Sequence, residues 1–348
     1  MSEDIRVGII TKHRGPHLSH YMRSFATCRG VKQVAIADST GRHFKDAGEI
    51  LKERYPELKT YRNYRRMLSA EKPQLVLVTT EAHMAPKRIQ AALESGAHVV
   101  CEKPSCVRIE DFRKLADLAT SRNLCLMLAM ANRFTPPVQK ARELVQSGKL
   151  GKLFSADVYM VADQTRLTRP RTQNSWVSKK ALSGGGHLIW LGIHWLDLVQ
   201  YITEDRVHKV AGFTSNVGGQ PVDIEDAAVL SLLYRSGMVG TMHSGYYLDR
   251  GYHSHIAIWG EKGWLRFDLT AQQPLEWYLT LEGMPQGIQT FSYSRGTNFY
   301  LGIIQAAVDC AQGSGDSGKS AEESLSVLRT IFGLYRAAET GRTQTLES

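Results

Sequence analysis

Apolar runs and helical segments alternate regularly over the first third of the chain. Five short runs rich in β-branched residues read IRVGII, VKQVAIA, QLVLVTT, HVVCEK and LCLMLAM, and helical patterns such as KRIQAALESG and EDFRKLADLATSR separate them. Nearly continuous apolar strands that alternate with helices are typical of a parallel sheet covered on both faces. We therefore predict an α/β, Rossmann-type, doubly wound nucleotide-binding domain over residues 1–128, with its ligand crevice beyond the carboxyl ends of the strands.

The pattern changes after Asn132. A helical segment, PPVQKARELVQSGKLG, leads into the strand pattern KLFSADVYMV, and from Val207 to about Tyr293 alternating runs such as AAVLSLLY and SHIAIWG follow one another without helices between them. Consecutive strands of this kind predict an open, mainly antiparallel sheet. Two helical segments close the chain. We predict an α+β domain over residues 129–348, whose terminal helices could pack back on the first domain.

Composition narrows the class of protein. The net charge of +9 is spread along the 348 residues without a basic stripe, so we expect no nucleic-acid partner. The amino-terminal residues lack the order of a signal peptide, and we find no apolar run long enough to span a bilayer. We therefore expect no membrane association. The five cysteines show no CxxC pair and no ligand spacing with histidine, so we expect reduced thiols, a cytoplasmic location and no bound metal.

Four segments, in order and at specific spacing, resemble the glucose-fructose oxidoreductase and inositol dehydrogenase (Gfo/Idh/MocA) family of sugar-active dehydrogenases. They are HVVCEKP, ANRFTPPVQKARELVQSGKLGKL, SGGGHLIWLGIHWLDLVQYI and RAAETGR. The resemblance covers nearly the whole chain, and it implies an NAD(P)-binding domain followed by a substrate-binding sheet domain. Glu71, Lys72 and Pro73 repeat the Glu-Lys-Pro tripeptide before a strand instead of after one, so we interpret that copy as an exposed turn.

The turn after the first strand departs from the dinucleotide fingerprint. It reads Gly8, Ile9, Ile10, Thr11, Lys12, His13, Arg14, Gly15, and only Gly15 survives of the glycines in the turn itself. Thr11 and His13 stand where two family glycines would be, so their side chains are expected to intrude on the diphosphate. Either Lys12, His13 and Arg14 supply compensating positive charge, or the pocket has decayed; we favour retention of the cofactor.

Other positions match the family's cofactor contacts. Asp38 ends the second strand, where an acidic residue accepts hydrogen bonds from the adenosine ribose and favours NAD over NADP, although it could equally begin a turn. Thr80 and His83 fall in the next cofactor loop, in which Glu81 replaces the usual proline. The resemblance also assigns Glu102 and Lys103 to the cofactor site.

The resemblance implies three catalytic residues: the lysine of Glu-Lys-Pro, and an aspartate and a histidine that lie four residues apart on the substrate helix. Lys103 and His194 match, but the Asp position is Trp190. We expect His194 to act as the general acid/base, Lys103 to polarise the reacting oxygen, and Trp190 to stack on the sugar ring. Asn132 and Arg133 are also predicted to bind substrate. Asp197 could orient His194 or make surface contacts, and the glycines at 184–186 could approach a ligand or form a flexible helix entry.

These features predict an NAD(P)-dependent oxidoreductase acting on a sugar, cyclitol or sugar-acid hydroxyl. A redox-neutral NAD-dependent glycosidase or lyase, and a catalytically silent sugar- or protein-binding relative, are the alternatives. Three arginines, Arg166, Arg169 and Arg171, could recognise a substrate carboxylate or phosphate, although a solvated loop explains them as well. An open sheet exposes apolar surface, so we expect a homodimer or homotetramer.

Overall fold

The computed structural model describes residues 3–12, 15–248, 250–280, 283, 287–293, 298–314 and 317–347. The strands are β1 (Ile5–Thr11), β2 (Val31–Asp38), β3 (Lys59–Tyr61), β4 (Leu75–Thr79), β5 (His98–Cys101), β6 (Leu126–Leu128), β7 (Leu153–Asp163), β8 (Val207–Ser215), β9 (Ala227–Tyr234), β10 (Val239–Leu248), β11 (Tyr252–Gly260), β12 (Gly263–Phe267), β13 (Leu275–Leu279), β14 (Gln289–Phe291) and β15 (Gln344–Thr345). The helices are α1 (Leu18–Thr27), α2 (Phe44–Leu51), α3 (Tyr64–Glu71), α4 (Ala85–Glu94), α5 (Ile109–Ser121), α6 (Pro136–Gln146), α7 (Thr165–Thr168), α8 (Pro170–Gln173), α9 (Lys180–Ser183), α10 (Ile193–Thr203), α11 (Phe299–Ala311) and α12 (Ser317–Thr340). None of these helices combines the length and apolar character that crossing a membrane requires.

The chain divides into two compact units. The first contains residues 1–131, 182–184 and 298–325, and the second contains 132–181, 185–297 and 326–348. In the first unit six parallel strands follow the order β3-β2-β1-β4-β5-β6. The order reverses between β1 and β4, which is where a doubly wound sheet opens its ligand crevice. The predicted α/β Rossmann-type fold is confirmed.

Burial on both faces explains why the strands of the first unit are almost uniformly apolar. All five residues of β4, LVLVT, are buried. Helix α5 covers the sheet with Phe112, Leu115, Ala116 and Ala119, a spacing that places all four on one helical face. Helix α11 belongs to this unit and contacts α1, β4 and β5.

A disulfide joins two cysteines of the first unit, contrary to the expectation of reduced thiols. Cys125 and Cys310 lie 185 positions apart in sequence, with Cα atoms 6.6 Å apart. His98 lies beside them, and its Nδ1 atom accepts a hydrogen bond from the Cys125 amide at 3.1 Å. Among the described residues, His98, Cys125 and Cys310 form a group whose ligand atoms are close enough together to hold a metal ion. In this structure the two sulfurs are bonded to each other. The expectation failed because a pairing over this distance leaves no local sequence pattern.

The second unit is built on a nine-stranded sheet with the order β14-β13-β12-β11-β7-β10-β9-β8-β15. Its strand pairs are antiparallel except for β7 with β10, as the sequence pattern predicted. One face is buried, and α10 and the second half of α12 contact it. Close contact requires glycine at position 212, where an added Cβ would lie 2.9 Å from Leu334 and 1.9 Å from the Val229 carbonyl oxygen. The other face carries exposed aromatic side chains.

The second Glu-Lys-Pro copy differs in part from the expected exposed turn. Lys72 is an exposed C-cap in the left-handed conformation, with φ of 43°. Glu71, however, is buried and accepts a hydrogen bond from Gln33 Nε2 at 2.8 Å, with Lys59 Nζ at 3.4 Å. The carboxylate therefore ties α3 to β2 and β3, a contact that the local sequence does not reveal.

Candidate active site

The turn after β1 keeps one position where only glycine fits. A Cβ added at Gly15 would lie 2.3 Å from Thr11 Oγ1 and 2.7 Å from the carbonyl oxygen of Thr79. The Thr11 hydroxyl donates to that same oxygen at 3.1 Å and is buried, so its side chain packs against β4 and against Gly15 of the turn. Its intrusion on a diphosphate stays a prediction. His13 and Arg14 lie outside the described residues. Glycine at position 15 is therefore required by close packing against Thr11 and Thr79 within the first unit.

Gly8 lies inside β1, away from the turn. A Cβ at this position would lie 2.8 Å from Met67 Cε and 3.1 Å from Pro73 Cγ. Its lack of a side chain is explained by the packing of α3 and the following loop against the strand.

The positive charge of Lys12 is paired within the protein. Its Nζ atom lies 3.5 Å from Glu81 Oε1, and His83 Nε2 lies 3.5 Å from Glu81 Oε2. Glu81, which stands where the family has proline, therefore attracts both basic groups at the carboxyl ends of β1 and β4. Thr80 is buried beside them. This arrangement lowers the net charge that Lys12 offers to a phosphate.

Asp38 has the contacts of a turn-forming residue. Its Oδ1 atom accepts from Thr40 N at 2.9 Å and from Thr40 Oγ1 at 2.8 Å, and its Oδ2 atom accepts from His43 N at 3.1 Å. Burial raises the pKa of the carboxyl group, but these hydrogen bonds lower it on balance. The side chain is fully buried, so its geometry matches the turn alternative.

A buried network surrounds Glu102 in the segment after β5. Glu102 Oε2 lies 3.1 Å from His17 Nδ1 and accepts from the Tyr21 hydroxyl at 2.5 Å. Burial raises the pKa of Glu102, but His17, Lys103 and Tyr21 outweigh that effect and lower it, so the carboxylate is ionised. Lys103, next in the chain, is itself 4% exposed. Sequence analysis missed His17 and Tyr21, which lie at the start of α1.

The helix that carries Trp190 and His194 begins as a π-helical turn. Residues Leu188–Gly192 are π-helical, and α10 continues from them. Between residues 185 and 200 every residue is buried except Trp190, Leu191 and His194, which are half-buried. The Trp190 ring lies against Trp176, with ring centroids 4.9 Å apart. Trp190 and His194 are therefore both partly accessible, as a shared face requires, and a π-helical turn is a common feature of functional sites.

Arg133 and Asp197 form a bidentate ion pair within the second unit. Arg133 Nε lies 2.8 Å from Asp197 Oδ2, and Nη2 lies 2.5 Å from Oδ1. Asp197 is 1% exposed, so the expected surface role is wrong. The guanidinium also lies 4.9 Å from the Tyr201 ring centroid. Asp197 thus fixes the segment that contains Asn132 and Arg133, the two predicted substrate residues, against α10.

The glycines before the helix allow close contact with Glu225 and Tyr335. A Cβ at Gly186 would lie 1.8 Å from the Glu225 carbonyl oxygen, and a Cβ at Gly185 would lie 2.1 Å from the Tyr335 hydroxyl. The Glu225 carboxylate accepts from Gly186 N at 2.6 Å, from Leu188 N at 3.1 Å and from the Tyr335 hydroxyl at 2.9 Å. The helix entry is therefore anchored and not flexible, and Glu225 is a further residue that sequence analysis missed.

Comparisons with known proteins agree with these features. Residues 5–130 match a family model described as an oxidoreductase family with an NAD-binding Rossmann fold, and residues 138–266 match the GFO/IDH/MocA C-terminal domain. The chain is 25% identical to D-glucoside 3-dehydrogenase of Escherichia coli over 93% of this chain and 92% of the relative. It is 22% identical to D-apiose dehydrogenase of Paraburkholderia graminis over 94% of this chain and 87% of the relative.

Solved structures share the fold over the full length. Levoglucosan dehydrogenase in complex with NADH and L-sorbose superposes with a TM-score of 0.86 at 18% identity, covering 99% of this chain and all of that one. An oxidoreductase domain protein from Kribbella flavida gives a TM-score of 0.86 at 22% identity and covers 100% of both chains. The chain belongs to the Gfo/Idh/MocA family of oxidoreductases.

Proposed function

We propose that this protein is a nicotinamide-dependent oxidoreductase that transfers hydride between a sugar, cyclitol or sugar-acid hydroxyl and NAD. The observation that carries the proposal is the segment 185–200 of the second unit, which is buried except for Trp190, Leu191 and His194. An imidazole and an indole that are both partly exposed on such a segment suit proton exchange and stacking on a sugar ring. Two relatives, matched over 93% and 94% of this chain, are named D-glucoside 3-dehydrogenase and D-apiose dehydrogenase, and one structural neighbour was solved with NADH and L-sorbose.

Each residue has a role that follows from its chemistry. His194 accepts the proton of the substrate hydroxyl during oxidation, and Trp190 stacks on the apolar face of the ring. Lys103, held between a buried strand and a proline, donates a hydrogen bond to the reacting oxygen and stabilises negative charge as it develops. The dinucleotide, when bound, supplies the hydride acceptor.

The first unit contains residues suited to hold that dinucleotide. The turn at Gly15 and the start of α1 would receive the diphosphate, because backbone N–H groups at a helix start bind anions. The buried Glu102, fixed by His17 and Tyr21, would orient the segment that contains Lys103. The match of residues 5–130 to an oxidoreductase family with an NAD-binding Rossmann fold favours a retained cofactor site over a silent binding protein.

Two measurements test the proposal. Thermal unfolding with and without NAD(H) or NADP(H) should show stabilisation of about 2.7 kcal/mol at a hundredfold excess over the dissociation constant. Turnover of a panel of sugars, cyclitols and sugar acids, followed through NADH absorbance, should then identify a substrate. His194→Gln should retain cofactor binding while kcat falls by about a hundredfold or more. Absence of stabilisation by either dinucleotide would refute the redox function.

We further propose that a second copy of the chain covers the open face of the second unit's sheet. A cross-strand row of rings and apolar side chains runs over this face, in the order His255, Tyr159, His243, Val229 and Phe213. The Tyr159 ring stacks on His243 and His255 at 4.8 and 4.9 Å. Phe213 is 79% exposed, and an apolar surface of this kind is typical of an interface between identical subunits.

A further inference from the structure

The three arginines of the segment after β7 differ in their surroundings. Arg169 and Arg171 are exposed, which is what a solvated loop predicts. Arg166, on the short helix α7, is half-buried between two tyrosines. Arg166 therefore differs from the other two arginines in its burial, a difference that the sequence does not reveal.

Tyr252 and Tyr246 surround the Arg166 guanidinium. Arg166 Nη2 donates a hydrogen bond to the Tyr252 hydroxyl, and its Cζ atom lies 5.3 Å from the Tyr252 ring centroid. Burial raises the pKa of Tyr246 to about 12, and the nearby charge of Arg166 opposes that rise. Two tyrosine hydroxyl groups thus lie beside one positive charge.

Within the described part of the chain, no carboxylate lies within 4.0 Å of the Arg166 guanidinium. Asp163 is the nearest acidic residue in sequence, and its Oδ1 atom accepts from Thr165 N at 2.8 Å. The hydrogen bond from Thr165 lowers the pKa of Asp163, and the charges of Arg169 and Arg166 add to that effect. The Arg166 guanidinium is thus held by tyrosine hydroxyls and does not contact a described carboxylate directly. Its planar group of N–H donors matches a carboxylate in shape and in charge.

Contacts inside the second unit connect this cluster to the helix of the proposed active site. The Tyr246 ring packs edge-on against His187, with ring centroids 4.5 Å apart. His187 is fully buried, and its Nδ1 atom lies 2.7 Å from Ser244 Oγ. His187 immediately precedes the π-helical turn that carries Trp190. The arginine and its tyrosines therefore belong to the same part of the unit as the predicted sugar-stacking residue.

We propose that Arg166, together with the hydroxyl groups of Tyr246 and Tyr252, binds the carboxylate of a sugar acid, so that the substrate is an aldonate or a uronate. This inference rests on the proposed function and narrows its substrate class. A single guanidinium balances the single negative charge of a carboxylate. A phosphate dianion would call for a second cation in contact with it, whereas the described groups that hydrogen-bond to the Arg166 guanidinium are the hydroxyls of Tyr246 and Tyr252.

Binding measurements on the enzyme with bound NAD test the inference without requiring turnover. Isothermal titration would compare matched pairs: uronates with their parent aldoses, aldonates with their alditols, and aldose 6-phosphates. We expect at least one sugar acid to bind about tenfold or more tightly than its neutral partner and than the phosphate. Arg166→Gln should remove that preference while leaving neutral sugars within about twofold. Arg166→Lys should retain part of it, because it keeps the charge but loses the planar donor pair.

Arg171→Gln is the matched control, because it removes the same charge from an exposed position on the adjoining helix. It should leave every affinity unchanged, and thermal unfolding will show that each variant is folded. Neutral sugars or sugar phosphates that bind as well as the acids would overturn the inference, as would an equal loss in Arg171→Gln. If neutral sugars alone are oxidised, the substrate class is wrong but the proposed function stands. If no dinucleotide binds, the proposed function fails instead.

Discussion

Replacing Glu225 tests how the helix that carries His194 is held in place. The carboxylate accepts three hydrogen bonds, from the Gly186 and Leu188 amides and from the Tyr335 hydroxyl, at 2.6, 3.1 and 2.9 Å. The two amides lie at the helix entry, where a Cβ at Gly186 would lie 1.8 Å from the Glu225 carbonyl oxygen, and Glu225 itself is buried. Glu225→Ala therefore removes the acceptor of three donors.

The cost follows from those donors. Each buried group left unsatisfied costs about 1–3 kcal/mol, and such losses are not fully additive, so Glu225→Ala should reduce the free energy of unfolding by about 3–5 kcal/mol. Glu225→Gln keeps one oxygen, which can serve Leu188 and Tyr335, but it turns an amide N–H₂ toward the Gly186 amide. We expect that variant to lose about 1–3 kcal/mol.

The difference between wild type and Glu225→Gln should also depend on pH. Burial raises the pKa of Glu225 above its ordinary value of 4.5, even though Gly186, Tyr335 and Leu188 act against the rise. A raised pKa means that the folded state binds the proton more tightly than the unfolded state, so ionisation costs stability at neutral pH. That cost disappears as the pH falls through the folded-state pKa toward 4.5. The advantage of wild type over Glu225→Gln should therefore widen as the pH is lowered.

Urea unfolding at a pH of about 7 and a pH of about 5 measures both the loss of unfolding free energy and its dependence on pH. Because wild type and Glu225→Gln share every other titrating group, those groups cancel in the difference between their unfolding free energies. Glu339→Gln is the control, because Glu339 is an acidic residue of α12 whose side chain is 71% exposed, and it should change little. A loss below about 1 kcal/mol in Glu225→Ala would refute the anchoring role. So would a wild-type advantage over Glu225→Gln that stays constant between the two pH values.

Three further predictions follow from single contacts. Gly15→Ala should lower the free energy of unfolding by about 1–3 kcal/mol, because its Cβ would lie 2.7 Å from the Thr79 carbonyl oxygen. It should also abolish stabilisation by NAD in a thermal melt, and unchanged NAD binding would contradict the assignment of this turn to the cofactor. Cys310→Ser removes a disulfide whose residues lie 185 positions apart, so it should lower the free energy of unfolding by about 2–4 kcal/mol. A reductant should lower the melting temperature of the wild type to that of the variant and should leave the variant unaffected. Phe213→Asp should shift the mass measured by light scattering toward one chain without lowering the melting temperature of that chain, and an unchanged mass would refute the proposed interface.

Local patterns in the sequence predicted the parts of the fold that depend on local physics. Uniformly apolar runs predicted the parallel sheet, because strands buried on both faces have no polar side. The spacing of Trp190 and His194 predicted that both share a face, and both are half-buried in the segment 185–200, where Leu191 is the other residue that is not buried. A helical or strand period determines such properties directly, whatever the rest of the chain does.

Contacts between distant segments could not be predicted in this way. His17 and Glu102 are 85 positions apart, and Glu225 is 39 positions from Gly186. Nothing in the immediate neighbourhood of either carboxylate indicates its partner. Asp38 shows a related limit, since the same residue at the end of a strand can face a ribose or close its own turn. Only the direction of the side chain distinguishes these roles.

The substitution of tryptophan for aspartate at position 190 can be interpreted because its surroundings are rigid. Glu225 fixes the start of the helical segment through two backbone amides, and the Arg133–Asp197 ion pair fixes its middle. A helix held at both places cannot rotate to present another residue, so Trp190 occupies the position that the family aspartate would have. An indole cannot accept a proton, so the proposed function assigns proton exchange to His194. We therefore expect proton transfer to depend on this imidazole, with Trp190 beside it as a surface for stacking.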